Sequence, residues 1–359
     1  MARSGKAGLA CLVVVSIGCQ ADAPRDPDII WVPSAPSCAQ CEIVLDTTVI
    51  LSGPSEAFVE WPSSAWLDSQ GRIFLAQPNK RIPPAVFAPD GRFLTFLGRE
   101  GEGPGEFRYA AHITTDAHDS IFIADRNPRR LTILGPDLTF VRSFPLPARV
   151  QSLAVLSDGR LASNSGSASD DRRSLHRFTR EGSRDGSFGP PARGGFDYQF
   201  RIAPAKAGGF WAIRLWGRYL LGHVPSDSSS TWYESQPAWF LGFPDDPTLE
   251  QLPAHTWVRG IWESEDGLVW IASQAPSLVR APTLDTIRPE GVAVTVARDV
   301  HEAFDTIIEV VDPRVPHVVA SRRFDEVFSL SVGKAQMLHV RETDRGLQFL
   351  LVRVGLKRN

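Results

Sequence analysis

A short repeated unit constrains the fold of this chain more than any other feature. Each copy is a tight turn containing Asp, Gly or other small polar residues, followed by a short run of apolar residues. Six copies occupy residues 68–76, 116–125, 157–162, 207–213, 265–272 and 332–340, the last of them degenerate. Repeats at this spacing are typical of architectures in which each unit buries its apolar face only against its neighbours.

A second turn follows the first in most copies. It is clearest at Pro89-Asp90-Gly91, and similar turns lie near Asp137, Glu181 and Asp344. Two hairpins per unit predict four short antiparallel strands, and four strands in about 40–50 residues is the pattern of a propeller blade. The sequence therefore predicts an all-β fold, a six-bladed β-propeller with four-stranded antiparallel blades.

Two segments do not fit the simple repeat. The spacing widens after the fourth copy, so we expect an insertion in the fifth blade, between Ala281 and His301. The strand-like segment from Glu42 to Leu51 has no unit of its own. We expect this N-terminal strand to complete the last blade, because that pairing joins the chain ends and removes an exposed sheet edge.

The first residues have the pattern of an export signal. Arg3 and Lys6 precede a short apolar run from Ala7 to Gly18, as in a secretory signal peptide. The run is too short for a permanent transmembrane helix. We expect residues 1–18 to be the signal peptide, 19–37 a tether and 38–359 the propeller, in an exported protein.

The residues around Cys19 suggest how the mature chain is held. Ser16-Ile17-Gly18-Cys19 resembles a bacterial lipoprotein signal, in which the cysteine becomes the lipidated first residue, although Ser16 stands where leucine is usual. This resemblance implies lipid attachment at Cys19 and a membrane-anchored protein. The alternative is ordinary secretion, with cleavage near Ala21 or Ala23 and loss of Cys19.

Cys38 and Cys41 form a CxxC motif just before the first predicted strand. A thioredoxin-like redox motif would lie beside a βαβ pattern, and a zinc site would need four ligands, but the neighbouring sequence offers neither. Haem attachment would need histidine after Cys41, where Glu42 stands. The interpretation favoured is a small structural disulfide, consistent with an oxidising compartment.

Two segments resemble a known propeller family. Residues 96–107 (FLGREGEGPGEF) resemble the linker of NHL-type six-bladed propellers, and residues 121–131 (IFIADRNPRRL) resemble the NHL strand–turn–strand core. The clear resemblance covers roughly residues 60–145, and the whole pattern is similar to exported bacterial propellers. The glycines fit a structural crossing between blades better than a phosphate-binding loop, which would continue with Gly-Lys-Ser/Thr and a helix.

Charge narrows the classes of partner. The net charge is −3, so the basic footprint of a nucleic-acid-binding protein is missing. We expect contact with the membrane only through the lipid anchor, and a monomeric protein.

Propellers commonly bind at the channel mouth, where loops enter the innermost strands. Aromatic side chains offer flat amphipathic faces there, and arginine offers a planar fork for carboxylates. The sequence thus predicts a scaffold that binds a protein, peptide or glycan ligand, although the same residues could simply pack between blades. The candidates are Tyr109, His112, Arg149, Tyr198, Arg201, Trp257, Arg259 and Asp325.

An enzyme is the alternative from a different class. Related propellers with hydrolase or lyase activity gather metal ligands at the mouth, and His112 and His255 could serve a lactonase-like site with calcium or zinc. The eight histidines form no HxH or HExxH pair, and two ligands leave a catalytic site one short. No GxSxG nucleophile elbow is present either. We therefore expect a binding scaffold without metal or cofactor, and no catalytic residue is assigned.

Overall fold

The computed structural model describes residues 28–78, 81–146, 150–165, 172–191, 199–227, 229–242, 255–279, 283–287, 294–298, 303–344 and 346–358. Regular structure in these ranges is almost entirely β-strand, with one short 3-10 helix at Ser55–Phe58. None of the helical segments described is long and apolar enough to cross a membrane.

The first half of the chain contains two leading strands and three blades. The leading strands are β1 (Ile29–Trp31) and β2 (Cys41–Ile50). Blade 1 consists of β3 (Ser64–Leu67), β4 (Ile73–Gln77), β5 (Ile82–Phe87) and β6 (Phe93–Phe96). A short parallel pair, β7 (Arg99–Glu100) and β8 (Glu106–Phe107), lies in the crossing to blade 2. Blade 2 consists of β9 (Ala110–Thr115), β10 (Ile121–Arg126), β11 (Arg129–Leu134) and β12 (Phe140–Pro145), and blade 3 of β13 (Val150–Val155), β14 (Leu161–Ser165), β15 (Leu175–Phe178) and β16 (Arg184–Phe188).

The second half adds three more blades. Blade 4 consists of β17 (Phe200–Pro204), β18 (Phe210–Arg214), β19 (Tyr219–Val224) and β20 (Thr231–Ser235). The next strands are β21 (Trp257–Glu263), β22 (Val269–Pro276), β23 (Thr283–Ile287), β24 (Val294–Arg298), β25 (Phe304–Asp312) and β26 (His317–Phe324). Blade 5 is the sheet β21-β22-β25-β26, and β23 pairs only with β24. The last strands are β27 (Phe328–Gly333), β28 (Gln336–Thr343) and β29 (Gly346–Arg358).

The chain ends close the ring in the way predicted. Strand β2 pairs antiparallel with β29, from Cys41 opposite Arg358 to Ile50 opposite Leu350, and so becomes the outer strand of blade 6. The inserted hairpin β23–β24 falls within the interval predicted for the insertion. Strand β1 was not predicted, and it adds a parallel fifth strand to blade 4 beside β20.

Six apolar cores hold the ring together, one between each pair of neighbouring blades. Between blades 1 and 2, for example, Phe74 of β4 packs with Ile113 and Ile121. The cores between the remaining pairs follow in order round the ring, and the last one joins blade 6 to blade 1 through Phe349 and Phe87. Because each blade is covered on both faces by its neighbours, the protein is a closed six-bladed β-propeller.

The glycine-rich crossing is structural, as expected. Gly98 has a φ of +65°, and a Cβ on this residue would lie 1.9 Å from the carbonyl oxygen of Gly105. Only glycine fits such a close backbone approach. The Glu106 carboxylate occupies the loop, accepting hydrogen bonds from Gly103 N (2.8 Å) and Arg99 Nε (2.6 Å).

The segment before β2 is fixed to blade 5. Cys38 and Cys41 are joined by a disulfide with Cα atoms 5.3 Å apart, and both pack against the core between blades 5 and 6. The backbone N–H of Cys38 also donates to the carbonyl oxygen of Val319 (3.1 Å). The bridge therefore lies where the N-terminal strand begins, away from the propeller axis.

Candidate functional site: the central channel

A cavity of about 460 Å³ runs along the propeller axis. Its lining includes residues from the innermost strand of every blade, namely β3, β9, β13, β17, β21 and β27. The volume lies in the range of small-molecule sites. Propeller geometry thus brings together six strands that are far apart in the sequence.

The cavity opens at the turns that leave the innermost strands. Exposed turn residues such as Ser69, Ala117 and Lys206 line this open end, whereas half-buried or buried residues line the other. The mouth predicted at the loops that enter the innermost strands would lie at the opposite end. The loops leading into β13, β17 and β21 fall partly outside the described residues, so that mouth stays a prediction.

Three predicted candidates line the cavity: His112, Arg201 and Arg259. Tyr109, Trp257 and Asp325 lie near the entering ends of their strands and are absent from the described lining. Arg149 and Tyr198, like the proposed lipid site Cys19, fall outside the described residues. The structure therefore brings together a smaller set than the eight candidates, centred on two arginines.

Trp257 has a packing role beside the channel. Its ring centroid lies 4.7 Å from that of Trp216 and 6.1 Å from that of Phe304. The guanidinium of Arg259 lies 4.9 Å from the Trp257 ring centroid, within the range of a cation–π contact. Trp257 therefore packs against Arg259 of the same strand.

A β-bulge positions Arg259. In the pairing of β21 with β22, Val258 lies opposite Ser273 and Gly260 opposite Ala272, which leaves Arg259 without a ladder partner. Bulges of this kind redirect a side chain. Arg259 Nε donates to Gln274 Oε1 (2.7 Å), and the Gln274 amide in turn donates to the carbonyl oxygen of Phe328 (3.2 Å). Contacts in blades 5 and 6 therefore fix this side chain.

Arg201 lies on β17, the innermost strand next to β21, and its Nε lacks the hydrogen bond that Arg259 Nε makes. Its Nε atom is buried and has no hydrogen-bond acceptor among the described residues. Burial, together with the charge of Arg126, lowers the pKa of Arg201 to about 10. Burial and the charge of Arg201 lower the pKa of Arg259 to about 9. Arginine remains protonated near neutral pH even with such shifts, so this end of the channel carries two neighbouring positive charges on half-buried side chains.

The carboxylates of the lining, in contrast, already have partners. Asp68 pairs with Arg72 at 2.5 Å, and Asp116 pairs with Arg180 of the next blade. The remaining lining carboxylates are also bonded, Asp119 to Ser69 N (2.8 Å), Glu263 to Lys206 N (2.9 Å) and Trp211 Nε1 (2.8 Å), and Glu265 to Lys206 Nζ (2.5 Å). These acidic groups join neighbouring turns at the open end and do not neutralise the arginines.

Polar turn residues such as Asp68, Asp116 and Lys206 form a rim at the open end of the cavity. This rim was not predicted from the sequence. Asp68 and Asp116 begin the repeated turns, so every copy of the unit places its turn at the same end of an innermost strand. That regularity was the signal that could have identified the rim. Such turns also have a purely structural explanation, because Asp accepts hydrogen bonds from the backbone of its own turn, as Asp116 does from Ser120 N (2.9 Å).

The histidines expected for the enzyme alternative differ in position. His112 is buried in β9 and lines the cavity, whereas His255 precedes β21 and is absent from the described lining. The described part of the chain holds no group of three or more His, Cys, Asp or Glu side chains that could bind a metal ion. Nothing in this geometry favours a metal-dependent hydrolase or lyase.

Comparison with known proteins agrees with the architecture. A family model described as a 6-bladed beta-propeller, DUF5128, matches residues 64–184. That range spans blades 1 and 2 and most of blade 3. The match covers about a third of the chain, so it supports the fold of these blades and leaves the resemblance to NHL repeats a prediction. No curated protein sequence matches the chain.

Solved structures extend the likeness to the whole ring. A protein of Bacteroides fragilis described as exported has a TM-score of 0.59 and 11% identity, with 91% of this chain and 99% of that chain covered. A catalytically inactive virginiamycin B lyase from Staphylococcus aureus, in a structure with quinupristin, has a TM-score of 0.50 and 10% identity over 87% and 99%. A protein of unknown function from Bacteroides thetaiotaomicron has a TM-score of 0.50 and 9% identity over 87% and 76%. At such low identity these likenesses describe the fold alone.

Proposed function

We propose that this protein is an exported binding scaffold that takes up a ligand in the central channel of its propeller. The observation that carries the proposal is the open cavity of about 460 Å³, lined from all six innermost strands. The blades of a propeller surround a central channel, and side chains do not fill that channel here. Function on a propeller resides in its site and not in the fold itself.

The lining suits selective binding of a ligand of modest size. Apolar side chains such as Ile113, Leu153 and Trp262 alternate with polar groups along the cavity. Sites of this mixed character hold a ligand by apolar contact and orient it by a few polar groups. A peptide segment or a sugar residue would fit through the open end, so the proposal includes protein, peptide and glycan ligands.

Narrowing the mouth tests the location of the site. Ala117 is exposed and lines the open end, so Ala117→Trp should obstruct the cavity without disturbing an apolar core. Ligands found by thermal-shift screening of the mature protein should bind this variant at least about tenfold more weakly in calorimetry. Val141→Trp, on an outer strand and 57% exposed in the wild type, is the matched control. Ligands that bind Ala117→Trp and wild type equally would contradict the channel site.

Export and lipid anchoring form the second part of the proposal. Arg3, Lys6 and the apolar run that follows support export, and Cys19 is the proposed site of lipid attachment. Palmitate labelling in a bacterial host should disappear in Cys19→Ser, and the protein should move from the membrane to the soluble fraction. Cys11→Ser, which changes a cysteine within the signal, should leave labelling intact. Labelling that persists in Cys19→Ser would refute the anchor.

A further inference from the structure

We propose that the arginine end of the channel, where Arg201 and Arg259 line the cavity, is an anion site in which these two residues together hold a carboxylate or phosphate group of the ligand. This inference rests on the proposed function and adds the chemical class of the ligand. Three features of the cavity support it: the charges of its lining, the contacts of the two arginines and the apolar residues beside them.

The charges of the described lining do not balance at the arginine end. Each lining carboxylate bonds a donor near the open end, as Asp68 does with Arg72 and Glu265 with Lys206. Among the described residues, neither Arg201 nor Arg259 lies within ion-pair distance of a carboxylate. A desolvated charge is costly unless it is paired. A bound anion would supply a counter-charge that the described residues do not.

The two guanidinium groups are prepared for such an anion in different ways. Arg259 uses Nε for Gln274 and rests on the Trp257 ring, and it makes no hydrogen bond through its terminal nitrogens to the described residues. Arg201 has a buried Nε without an acceptor. Planar guanidinium forks bind carboxylate and phosphate oxygens in pairs. Two forks on adjacent strands could therefore share one anionic group.

The remaining cavity indicates what is attached to that group. Between the arginines and the open end, the lining includes Ile202, Ala203 and Leu330 together with Trp262. An apolar or aromatic body would bury its surface there while its anionic group reaches the arginines. A free cation is disfavoured at the arginine end, because like charges in a partly desolvated site repel.

Matched small probes test the charge requirement directly. The probes are benzoate, phenyl phosphate and neutral benzamide, and the observable is the set of arginine Nε–H signals in NMR spectra of the mature protein. Signals of Arg201 and Arg259 are assigned by their loss in Arg201→Gln and Arg259→Gln. Benzoate or phenyl phosphate at millimolar concentration should shift both signals, whereas benzamide should leave them in place. The anion that binds with the higher affinity shows whether the site prefers a carboxylate or a phosphate.

The same variants measure the dependence of binding on each arginine. Arg201→Gln and Arg259→Gln should each weaken binding of the anionic probes at least about tenfold, and Arg201→Lys should retain part of the affinity. Arg92→Gln is the matched control, because Arg92 is 75% exposed and pairs with Asp90 on blade 1. Dispersed backbone NMR signals in each variant show that the propeller remains folded.

The outcomes separate this inference from the proposed function. Equal binding of benzamide and benzoate, unchanged anion binding in Arg201→Gln, or no shift with either anion would overturn the anion site. If screening still finds neutral ligands that Ala117→Trp excludes, the channel remains the binding site and only the ligand class is wrong. If anion binding depends on Arg201 while Ala117→Trp has no effect on any ligand, the arginines form an anion site reached by another route.

Discussion

Glu309 provides a pH-dependent test of how neighbouring blades are joined. This residue of β25 is 1% exposed and lies in the interface between blades 4 and 5, where the Tyr219 hydroxyl donates a hydrogen bond to Oε2 (2.7 Å). Burial raises the pKa of Glu309 from an ordinary value of 4.5 to about 7. The fold therefore favours the neutral acid over the carboxylate.

The sign and size of the effect on stability follow from this shift. A pKa raised by folding gives stability that is fully present below about pH 4.5 and is lost as the pH rises through about 7. At 1.36 kcal/mol for each pH unit, the loss at pH 8 is about 3 kcal/mol. Glu309→Gln keeps the size of the side chain and an acceptor for Tyr219, and it removes the charge. The variant should match wild type near pH 5 and exceed its free energy of unfolding by about 2–3 kcal/mol at pH 8.

Urea denaturation followed by tryptophan fluorescence at pH 5 and pH 8 measures the difference. Glu102→Gln is the control, because Glu102 is 58% exposed and surface substitutions of this kind change stability by about 0.5 kcal/mol or less. A Glu309→Gln variant that is equally destabilised at both pH values would refute the reasoning. It would show that the ionised carboxylate, bonded by Tyr219, is the preferred form in the interface.

Three further substitutions test other features of the ring. In the absence of ligand, Arg201→Gln should raise the melting temperature in calorimetry by a few degrees, because it removes a poorly paired buried charge; a lower value would contradict this. Ile43→Ala should cost about 2–4 kcal/mol in urea denaturation, since Ile43 is 1% exposed in the closing strand, and a loss below about 1 kcal/mol would show that β2 contributes little to closure. Gly98→Ala should lower the melting temperature because its Cβ would meet the Gly105 carbonyl oxygen. Gly217→Ala is the control and should lower it less, since Gly217 has a φ of +74° but nothing near the position of a Cβ. Equal losses would show that the positive φ alone causes the effect.

The architecture could be predicted because it depends on periodic features of the sequence. The repeated turns define the inner hairpins, and the unassigned segment from Glu42 to Leu51 had to pair with an open sheet edge. Both expectations are confirmed by the sheet order and by the register of β2 with β29. Strand β1 escaped prediction because three residues, Ile29–Trp31, have no usable period. Its parallel pairing with β20 depends on the three-dimensional path of the chain.

The site was predicted less completely, for physical reasons. Residue type pointed to Arg201 and Arg259, which the structure places in the cavity lining, and their role in binding stays a prediction. It could not show that Trp257 packs on Trp216 and Phe304, because aromatic residues serve packing and binding equally well. Nor could it show which end of the channel is open. That property depends on the summed volume of side chains from six strands, and no local pattern encodes it.

The poorly paired arginines and the closed ring explain one another. A single blade could not tolerate desolvated charge, because its apolar faces alone are too small to offset that cost. In the closed propeller, six apolar cores between the blades stabilise the fold. Their contribution offsets the free-energy cost of the poorly paired charges on the axis. Natural proteins break packing and pairing rules mainly where function requires it. The bulge at Arg259 recurs near the start of β9, β13 and β27, so it belongs to the blade repeat. The Gln274 bond that holds Arg259 and the buried Nε of Arg201 do not follow from that repeat, and both lie where the proposed anion would bind.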